Sequence, residues 1–242
     1  MDSSVIAFSM QKNLFQRMEA LSNNVANANT DGFKADLALQ LDPKRYVNGE
    51  KDPTAALQLS TDMRQAPLKP TARQLDLAIE GEGFFAVDTP LGTRYTRSGH
   101  FNVNDEGNVV TKDGYIVQGA GGAITLEPQD SNIVINESGQ IFSLIDGEKI
   151  ERGSVGVFKF NDYTQLEKVG GSYFIAEDAA QTAEPQQDYK ISQFMLEESN
   201  VNPIEQMSEL IKVTRAVQKG ASIMNDQHNL IKDAVSRIAS VN

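Results

Sequence analysis

Apolar residues near the N-terminus recur with the spacing of a single helix face. They alternate by four and three, which is typical of the seam of a coiled coil with one polar member. The positions are Ala7, Gln11, Leu14, Met18, Leu21, Val25 and Ala28. Gly32 is expected to end this helix as a left-handed C-cap, with Phe33 folding back on the last turn. The pattern therefore predicts an N-terminal helix that ends shortly before Gly32.

The C-terminal part of the chain shows the same periodicity with stronger boundary signals. Asn202 is a favourable N-cap, Pro203 suits the first helical position, and Glu205 stands where a capping-box acid belongs. Beyond them, positions alternating by three and four form a second seam that continues almost to the last residue. They are Met207, Leu210, Thr214, Val217, Ala221, Met224, His228, Ile231, Val235 and Ile238. Neither helix has a hydrophobic neighbour in sequence, so each must bury its seam against a distant element.

Between the helices the period falls to two, which is typical of β-strands. Leu75, Leu77 and Ile79 are separated by single residues, and the same alternation recurs at Phe101 and Val103. Glycine-containing turn signals divide this part of the chain into short segments. They lie at residues 105–107, 113–114, 137–139 and 146–147. Many short strands at this spacing predict an antiparallel sandwich or barrel.

These patterns together predict an α+β fold. The N- and C-terminal helices are expected to pair as a coiled-coil module, with an antiparallel all-β domain inserted between them. Residues 1–36 and 198–242 would form the helical module, and residues 75–197 the β domain. Residues 37–74, which hold four prolines among polar side chains, are predicted to be an extended connector with a short strand near residues 57–59.

Composition and charge narrow the possible partners. The chain has 242 residues, a formal charge of -11 and a pI near 4.7, so its surface repels nucleic acid and anionic membranes at long range. It contains no cysteine, which excludes disulfides and thiolate metal sites. No basic segment followed by an apolar one begins at Met1, so we expect no cleaved signal peptide. No apolar run reaches the roughly 20 residues that a membrane crossing needs.

One stretch, "LSNNVANANTDGFKAD" at residues 21–36, contains four asparagines within the helical periodicity. Asparagine competes with the helix backbone for hydrogen bonds and usually lies at caps and turns. The stretch is therefore either a loop or a helix whose amides bind partners outside that helix. The helical spacing favours the second interpretation.

The sequence offers little support for catalysis. The glycines of "GEGFF" and "GAGG" lack the strand-then-helix context of a phosphate loop, so they are interpreted as turns. His100 and His228 are the only histidines, and a histidine triad or metal centre would need a long-range coincidence. Glu80 and Glu82 could serve a glycan hydrolase, but such pairs arise by chance among 33 acidic residues. A glycan-binding β-sandwich on a stalk would normally show exposed aromatic residues, and tryptophan is absent.

Three motifs in order resemble the flagellar basal-body rod and hook protein family. They are the asparagine-rich stretch, "LDLAIEGEGFFAV" with "YTRSGHFNVNDEGNVVTKDGYIVQG", and "LEESNVNPIEQMSELIKVTRAVQ". The resemblance covers the first 36 residues, about residues 75–119, and the chain from residue 195 onward; the remainder matches weakly. Short length and the lack of a long insertion resemble the proximal rod members more than the distal rod members, which stay an alternative. The hook protein, with its additional β domain, fits poorly.

This resemblance implies a structural subunit of the bacterial flagellum, with no enzymatic activity, cofactor or metal. In the family the terminal helices form an inner tube around the export channel, and the β domain lies outside it. The implied partners are proximal and distal rod proteins, copies of the chain itself and surrounding basal-body components, with no nucleic acid and no insertion into lipid. The implied place is the basal body across the periplasm, reached through the flagellar type III export apparatus.

The seams and the family motifs together predict an assembly interface. Its members are Leu14, Met18, Leu21, Asn23, Asn24, Val25, Asn27, Asn29, Gly32, Phe33, Asn200, Asn202, Met207, Leu210, Val217, Met224, Ile231, Val235 and Ile238. The asparagine amides are expected to hydrogen-bond neighbouring subunits in a tube of packed helices.

Overall fold

The computed structural model describes residues 3–40, 46–47, 50–51, 57–130, 132–145, 147–176, 183–185 and 189–239. The chain divides into two compact units. We call Met1–Ala26, Asp36–Thr61 and Asn202–Asn242 the helical unit, and Asn27–Ala35 with Asp62–Val201 the β unit. This division differs from the predicted boundaries, because the β unit also includes residues 27–35, 62–74 and 198–201.

The helical unit contains both long helices and two small strand pairs. Helix α1 (Ser3–Ala26) contacts helix α2 (Pro203–Ala239). Strand β1 (Asp36–Gln40) pairs antiparallel with β4 (Leu57–Thr61), and β2 (Tyr46–Val47) pairs with β3 (Glu50–Lys51). The predicted strand near residues 57–59 is therefore present, and it belongs to the helical unit rather than to a connector. Neither helix, as far as it is described, has a stretch that is apolar enough to cross a membrane.

The helix boundaries test the predicted caps. The Asn202 side-chain oxygen accepts hydrogen bonds from the backbone N–H groups of Ile204 (3.2 Å) and Glu205 (3.4 Å), which confirms Asn202 as the N-cap of α2. The predicted C-cap of α1 is wrong. The helix ends at Ala26, and Gly32 lies beyond an intervening turn, although its φ is indeed positive at 70°.

The β unit consists of short strands that pair antiparallel wherever their partners are described. Their bounds are β5 (Leu68–Pro70), β6 (Leu77–Glu80), β7 (Phe84–Thr89), β8 (Gly92–Thr96), β9 (Phe101–Val103), β10 (Val109–Thr111), β11 (Ile116–Gly119), β12 (Gly122–Ala123), β13 (Ile133–Ile135), β14 (Gln140–Ile145), β15 (Glu148–Ser154), β16 (Val157–Phe160), β17 (Leu166–Lys168), β18 (Tyr173–Ala176), β19 (Ala183–Pro185), β20 (Lys190–Gln193) and β21 (Met195–Glu197). The prediction of two terminal helices around an antiparallel β domain is confirmed at this level.

Ten of the described strands form one sheet. Its main path runs β17, β18, β8, β7, β11, β10, β9; β12 pairs with β11, and β16 pairs with both β7 and β19. Strands β13, β14 and β15 form a three-stranded sheet, while β20 pairs with β6 and β21 pairs with β5. The predicted turns at residues 105–107, 113–114 and 137–139 all connect strands. The fourth predicted turn, at residues 146–147, includes Asp146, which lies outside the described residues.

Strand β7 separates two hydrophobic cores. Phe85 and Val87 belong to the larger cluster, whereas Phe84 and Ala86 belong to the smaller one. Successive side chains of a strand point to opposite faces, so a strand with a core on each face must be apolar throughout. This arrangement explains why the "GFFAV" segment reads as a continuous apolar run.

Candidate functional site

The asparagines at the end of α1 bind partners within the same chain. The Asn24 amide donates to the backbone oxygen of Asp36 (2.8 Å) and to the side-chain oxygen of Gln206 (3.1 Å). Its own oxygen accepts from the Asp36 N–H at 2.8 Å, and the side chain is buried. The exposed Asn23 amide donates to the Asp36 carboxylate at 2.6 Å. Asn24 thus connects α1, β1 and α2 without needing a neighbouring subunit.

The next two asparagines lie in the turn that follows α1. The Asn27 side-chain oxygen accepts from the Thr30 hydroxyl at 3.2 Å, and its backbone oxygen accepts from the Thr30 N–H at 3.1 Å. Asn29 is exposed in the same turn. These are ordinary positions for asparagine, because its short side chain can bind nearby backbone and stabilise a turn.

Inside the β unit, three charged side chains form a buried cluster that we call the junction cluster: Lys34, Arg97 and Glu197. The Lys34 ammonium lies 2.6 Å from one carboxylate oxygen of Glu197, and the Arg97 guanidinium lies 3.3 Å from the other. All three side chains are almost completely buried. Charges of this kind are rarely buried unless paired, so each depends on the others for its stability.

Backbone groups complete the coordination of the junction cluster. Lys34 also donates to the backbone oxygen of Arg64 at 2.7 Å, and Glu197 accepts from the Ala66 N–H at 3.0 Å. The Gly32 N–H donates to the backbone oxygen of Glu197 at 2.7 Å. The cluster therefore joins four segments of the β unit that are far apart in sequence, at residues 32–34, 64–66, 97 and 197.

Burial controls the ionisation of the two buried cations. Removal from water lowers the pKa of Lys34 below its usual value, although the adjacent Glu197 carboxylate acts in the opposite direction. Burial likewise lowers the pKa of the Arg97 guanidinium. Both shifts mean that the charged forms are held at an energetic cost, which the Glu197 carboxylate reduces.

Asn200 binds two of these parts of the β unit, around residues 35 and 62–64, through neutral groups. Its side-chain oxygen accepts from the Ala35 N–H at 2.7 Å, and its amide donates to the backbone oxygens of Asp62 (2.8 Å) and Arg64 (3.2 Å). The geometry makes Asn200 an internal cross-link of the β unit.

The Asn200→Ala variant is expected to unfold at lower denaturant concentration than the wild type. It removes three hydrogen bonds, and each contributes about 0.5 to 1.5 kcal/mol, so we expect a loss of about 2 kcal/mol in the free energy of unfolding. Urea titration followed by tyrosine fluorescence measures this loss. Asn29→Ala, at an exposed position of the asparagine-rich stretch, should change the free energy by less than about 0.5 kcal/mol. Equal effects of the two changes would contradict the cross-linking role of Asn200.

Gly32 and Phe33 lie next to the junction cluster. A Cβ atom at Gly32 would lie 2.3 Å from the backbone nitrogen of Ser98, so only glycine allows this approach. Phe33 is fully buried with Ala35 and Val201, and the Lys168 ammonium lies 3.6 Å from its ring centroid. Phe33 therefore belongs to the interior of the β unit.

The predicted seam residues differ in exposure. Leu21 is buried and Met207 is more than half exposed. The other seam members whose side chains are described are intermediate: Gln11, Leu14, Met18, Val25, Ala28, Leu210, Thr214, Val217 and Ala221. The side chains of Met224, Ile231, Val235 and Ile238 lie outside the described part of the chain, as does that of His228.

Several residues that are important in the structure were not predicted from the sequence. Val213 is the buried side chain of α2 among those described, although it was absent from the predicted seam. Ile204 and Ile211 are more than half exposed, as Met207 is, and their spacing of three and four was a readable signal of a second apolar stripe. Lys34, Arg97 and Glu197 carried no such signal, because charged residues in a sequence normally indicate surface.

The candidate catalytic groups have structural partners. The glycines of "GEGFF" lie between β6 and β7, and those of "GAGG" in the β11–β12 hairpin, which confirms both as turns. Glu82 pairs with Lys159, and Glu80 accepts a hydrogen bond from Ser192. His100 lies 3.1 Å from Asp76. No group of three or more potential metal ligands occurs among the described residues.

Three family descriptions match consecutive parts of the chain. Residues 7–34 match the flagella basal body rod protein family, residues 78–143 the flagellar hook protein FlgE/F/G D1 domain, and residues 192–237 the C-terminal domain of flagellar basal body rod FlgEFG proteins. The first and third matches include the asparagine-rich turn and Asn200, whose positions in the fold are described above.

Several known proteins are similar to the chain over all or nearly all of their length. The flagellar basal-body rod protein FlgF of Caulobacter vibrioides is 32% identical over 251 residues, covering 100% of both chains. FlgF of Mesorhizobium japonicum is 33% identical and covers 99% of this chain and 98% of the relative. The flagellar basal-body rod protein FlgG of Bacillus subtilis is 28% identical, covering 93% of this chain and 94% of the relative.

Proposed function

The chain belongs to the flagellar basal-body rod protein family, and we propose that it polymerises through its helical unit as an axial subunit of the rod. It is a structural protein and not an enzyme. Its partners are other components of the rod and basal body. The relatives named FlgF match it over nearly their full length, which supports a FlgF-like, proximal position; the distal position of FlgG-like members is the alternative.

The observation that carries this proposal is the exposed apolar surface of the helical unit. Eight large hydrophobic side chains of this unit are exposed among those described: Met10, Phe15, Leu37, Leu39, Leu59, Ile204, Met207 and Ile211. A stable monomer rarely leaves so many large apolar side chains on a small unit, so this surface indicates burial against further chains. The helical unit also carries ten acidic and ten basic residues, so no net charge opposes close packing of several copies.

The terminal helices are proposed to form coiled-coil contacts with helices of adjacent subunits. Val213 and Leu21 lie buried within the helical unit, whereas Ile204, Met207 and Ile211 are left for a neighbour. A neighbour that covers this stripe would complete the burial of α2 on two sides. The seam positions whose side chains are not described, from Met224 to Ile238, belong to the same proposal.

Met207→Glu should block assembly while leaving the monomer folded. Burying a methionine contributes about 1.5 to 3 kcal/mol, so losing it at a repeated contact should raise the polymerisation threshold about ten- to a hundredfold. Cells that carry only this variant should lack complete rods and motility. The matched control is Leu91→Glu, an equally drastic change at an exposed leucine of the β unit, which should keep motility. A lower melting temperature for Met207→Glu with normal rods would contradict the proposal.

A further inference from the structure

The net negative charge of the chain comes from only one of its two units, the β unit. The β unit contains 23 acidic and 12 basic residues, which is the whole formal charge of -11, while the helical unit is neutral. Buried groups do not account for this imbalance, because the buried charged residues in the described part of the β unit are two cations and three carboxylates. The excess of negative charge therefore lies mainly on the surface of the β unit.

We propose that the acidic β units of neighbouring copies repel one another, so that ionic strength controls polymerisation of this chain. This inference rests on the proposed function, because repulsion matters only if copies pack side by side. Polymerisation through the neutral, apolar helical unit would bring one β unit of charge -11 next to another. The helical contacts favour assembly, and the β units oppose it.

Salt weakens the repulsion between β units more than it changes the apolar contacts between helices. The Debye length is about 30 Å at 0.01 M salt and about 8 Å at 0.15 M, so repulsion between neighbouring domains is largely screened at the higher concentration. Apolar contacts between helices are uncharged and change little over this range. We therefore expect the threshold concentration for polymer formation to fall about tenfold or more between these two salt concentrations.

Charge variants separate repulsion from other effects of salt. Glu148, Glu167 and Glu198 are exposed residues of the β unit. Replacing all three with lysine changes the charge of the unit from -11 to -5, and replacing them with glutamine gives -8. Because repulsion scales with the product of the two charges, it should fall to about a fifth in the lysine variant and about half in the glutamine variant. The salt dependence of the threshold should decrease in that order.

The test uses the purified full-length chain in sodium chloride, with polymer measured by sedimentation and electron microscopy. The matched control replaces the same three glutamates with aspartate, which keeps the charge and should keep the wild-type salt dependence. A threshold that is independent of salt and of these charges would overturn this inference and leave the proposed function intact. A threshold that rises with salt would overturn it as well, because it would mean attraction between charged surfaces. No polymer at any salt or protein concentration would overturn both.

Discussion

Glu197→Gln is expected to destabilise the β unit by about 3 to 5 kcal/mol, because it leaves Lys34 and Arg97 buried without the carboxylate that pairs directly with both. Glutamine has nearly the same shape, so the effect isolates the lost charge from packing. For a unit of this size the melting temperature should fall by roughly 10 °C or more. Thermal unfolding followed by tyrosine fluorescence measures this fall in melting temperature, since five of the six tyrosines lie in the β unit.

The neighbouring residue supplies the control. Glu198 is exposed, so Glu198→Gln removes the same charge one position away and should shift the free energy of unfolding by less than about 0.5 kcal/mol. If the two variants lose the same free energy of unfolding, the carboxylate of Glu197 contributes no more to stability than an ordinary surface charge, and the proposed role of the junction cluster is wrong.

The loss in the free energy of unfolding that Glu197→Gln causes should also become smaller as the pH rises toward about 10. The pKa of Lys34 is lowered in the folded chain, so the unfolded chain holds this proton at pH values where the folded chain has released it. Stability therefore rises with pH between the lowered pKa and the unfolded value. Loss of the Glu197 carboxylate lowers the folded pKa further, because the charge that opposed desolvation is gone. A loss in the free energy of unfolding that stays constant from pH 7 to pH 10 would contradict burial of a charged Lys34.

Gly32→Ala is expected to cost about 3 kcal/mol or more in the free energy of unfolding. Two separate effects add here, because alanine is strained at a φ of 70° and its Cβ would overlap the backbone of Arg97 and Ser98. Backbone atoms cannot move aside like a flexible side chain. The shift would also disturb the hydrogen bond from the Gly32 N–H to Glu197. Urea titration of the purified variant measures the loss.

Gly114→Ala separates the two effects. Gly114 has a φ of 84° but no atom within 4 Å of its Cβ position, so this variant carries conformational strain without overlap. We expect it to lose about 1 kcal/mol, clearly less than Gly32→Ala. Equal losses would mean that the close approach to Ser98 is not important.

Local signals predicted the start of α2 and the turns between strands, which short-range chemistry determines, but they misplaced the C-cap of α1. Asn202 caps α2 because its side chain reaches N–H groups only two and three residues away. Gly107 and Gly139 have positive φ in predicted turns because such turns require it. The two flanking helices and the inserted β domain followed from the change of period along the chain.

Long-range pairing could not be predicted in this way. Lys34 and Glu197 are 163 residues apart, and no periodicity relates them. Asn24 was expected to hydrogen-bond a neighbouring subunit, but its side chain binds Asp36 and Gln206 of the same chain, and no sequence pattern distinguishes the two. Val213 was missed because the buried stripe of a straight helix is wider than a heptad seam, and Val213 lies between Leu210 and Val217 on the same face.

Photo-crosslinking within assembled rods tests the central claim most directly. A benzophenone amino acid is placed at Met207 on the helical unit or, in a second strain, at Leu91 on the β unit, and isolated basal bodies are irradiated. Polymerisation through the helical unit predicts a crosslink from position 207 to another copy or another rod protein, with position 91 leaving rod chains uncrosslinked to each other. Crosslinks between rod subunits at position 91 and none at position 207 would contradict it.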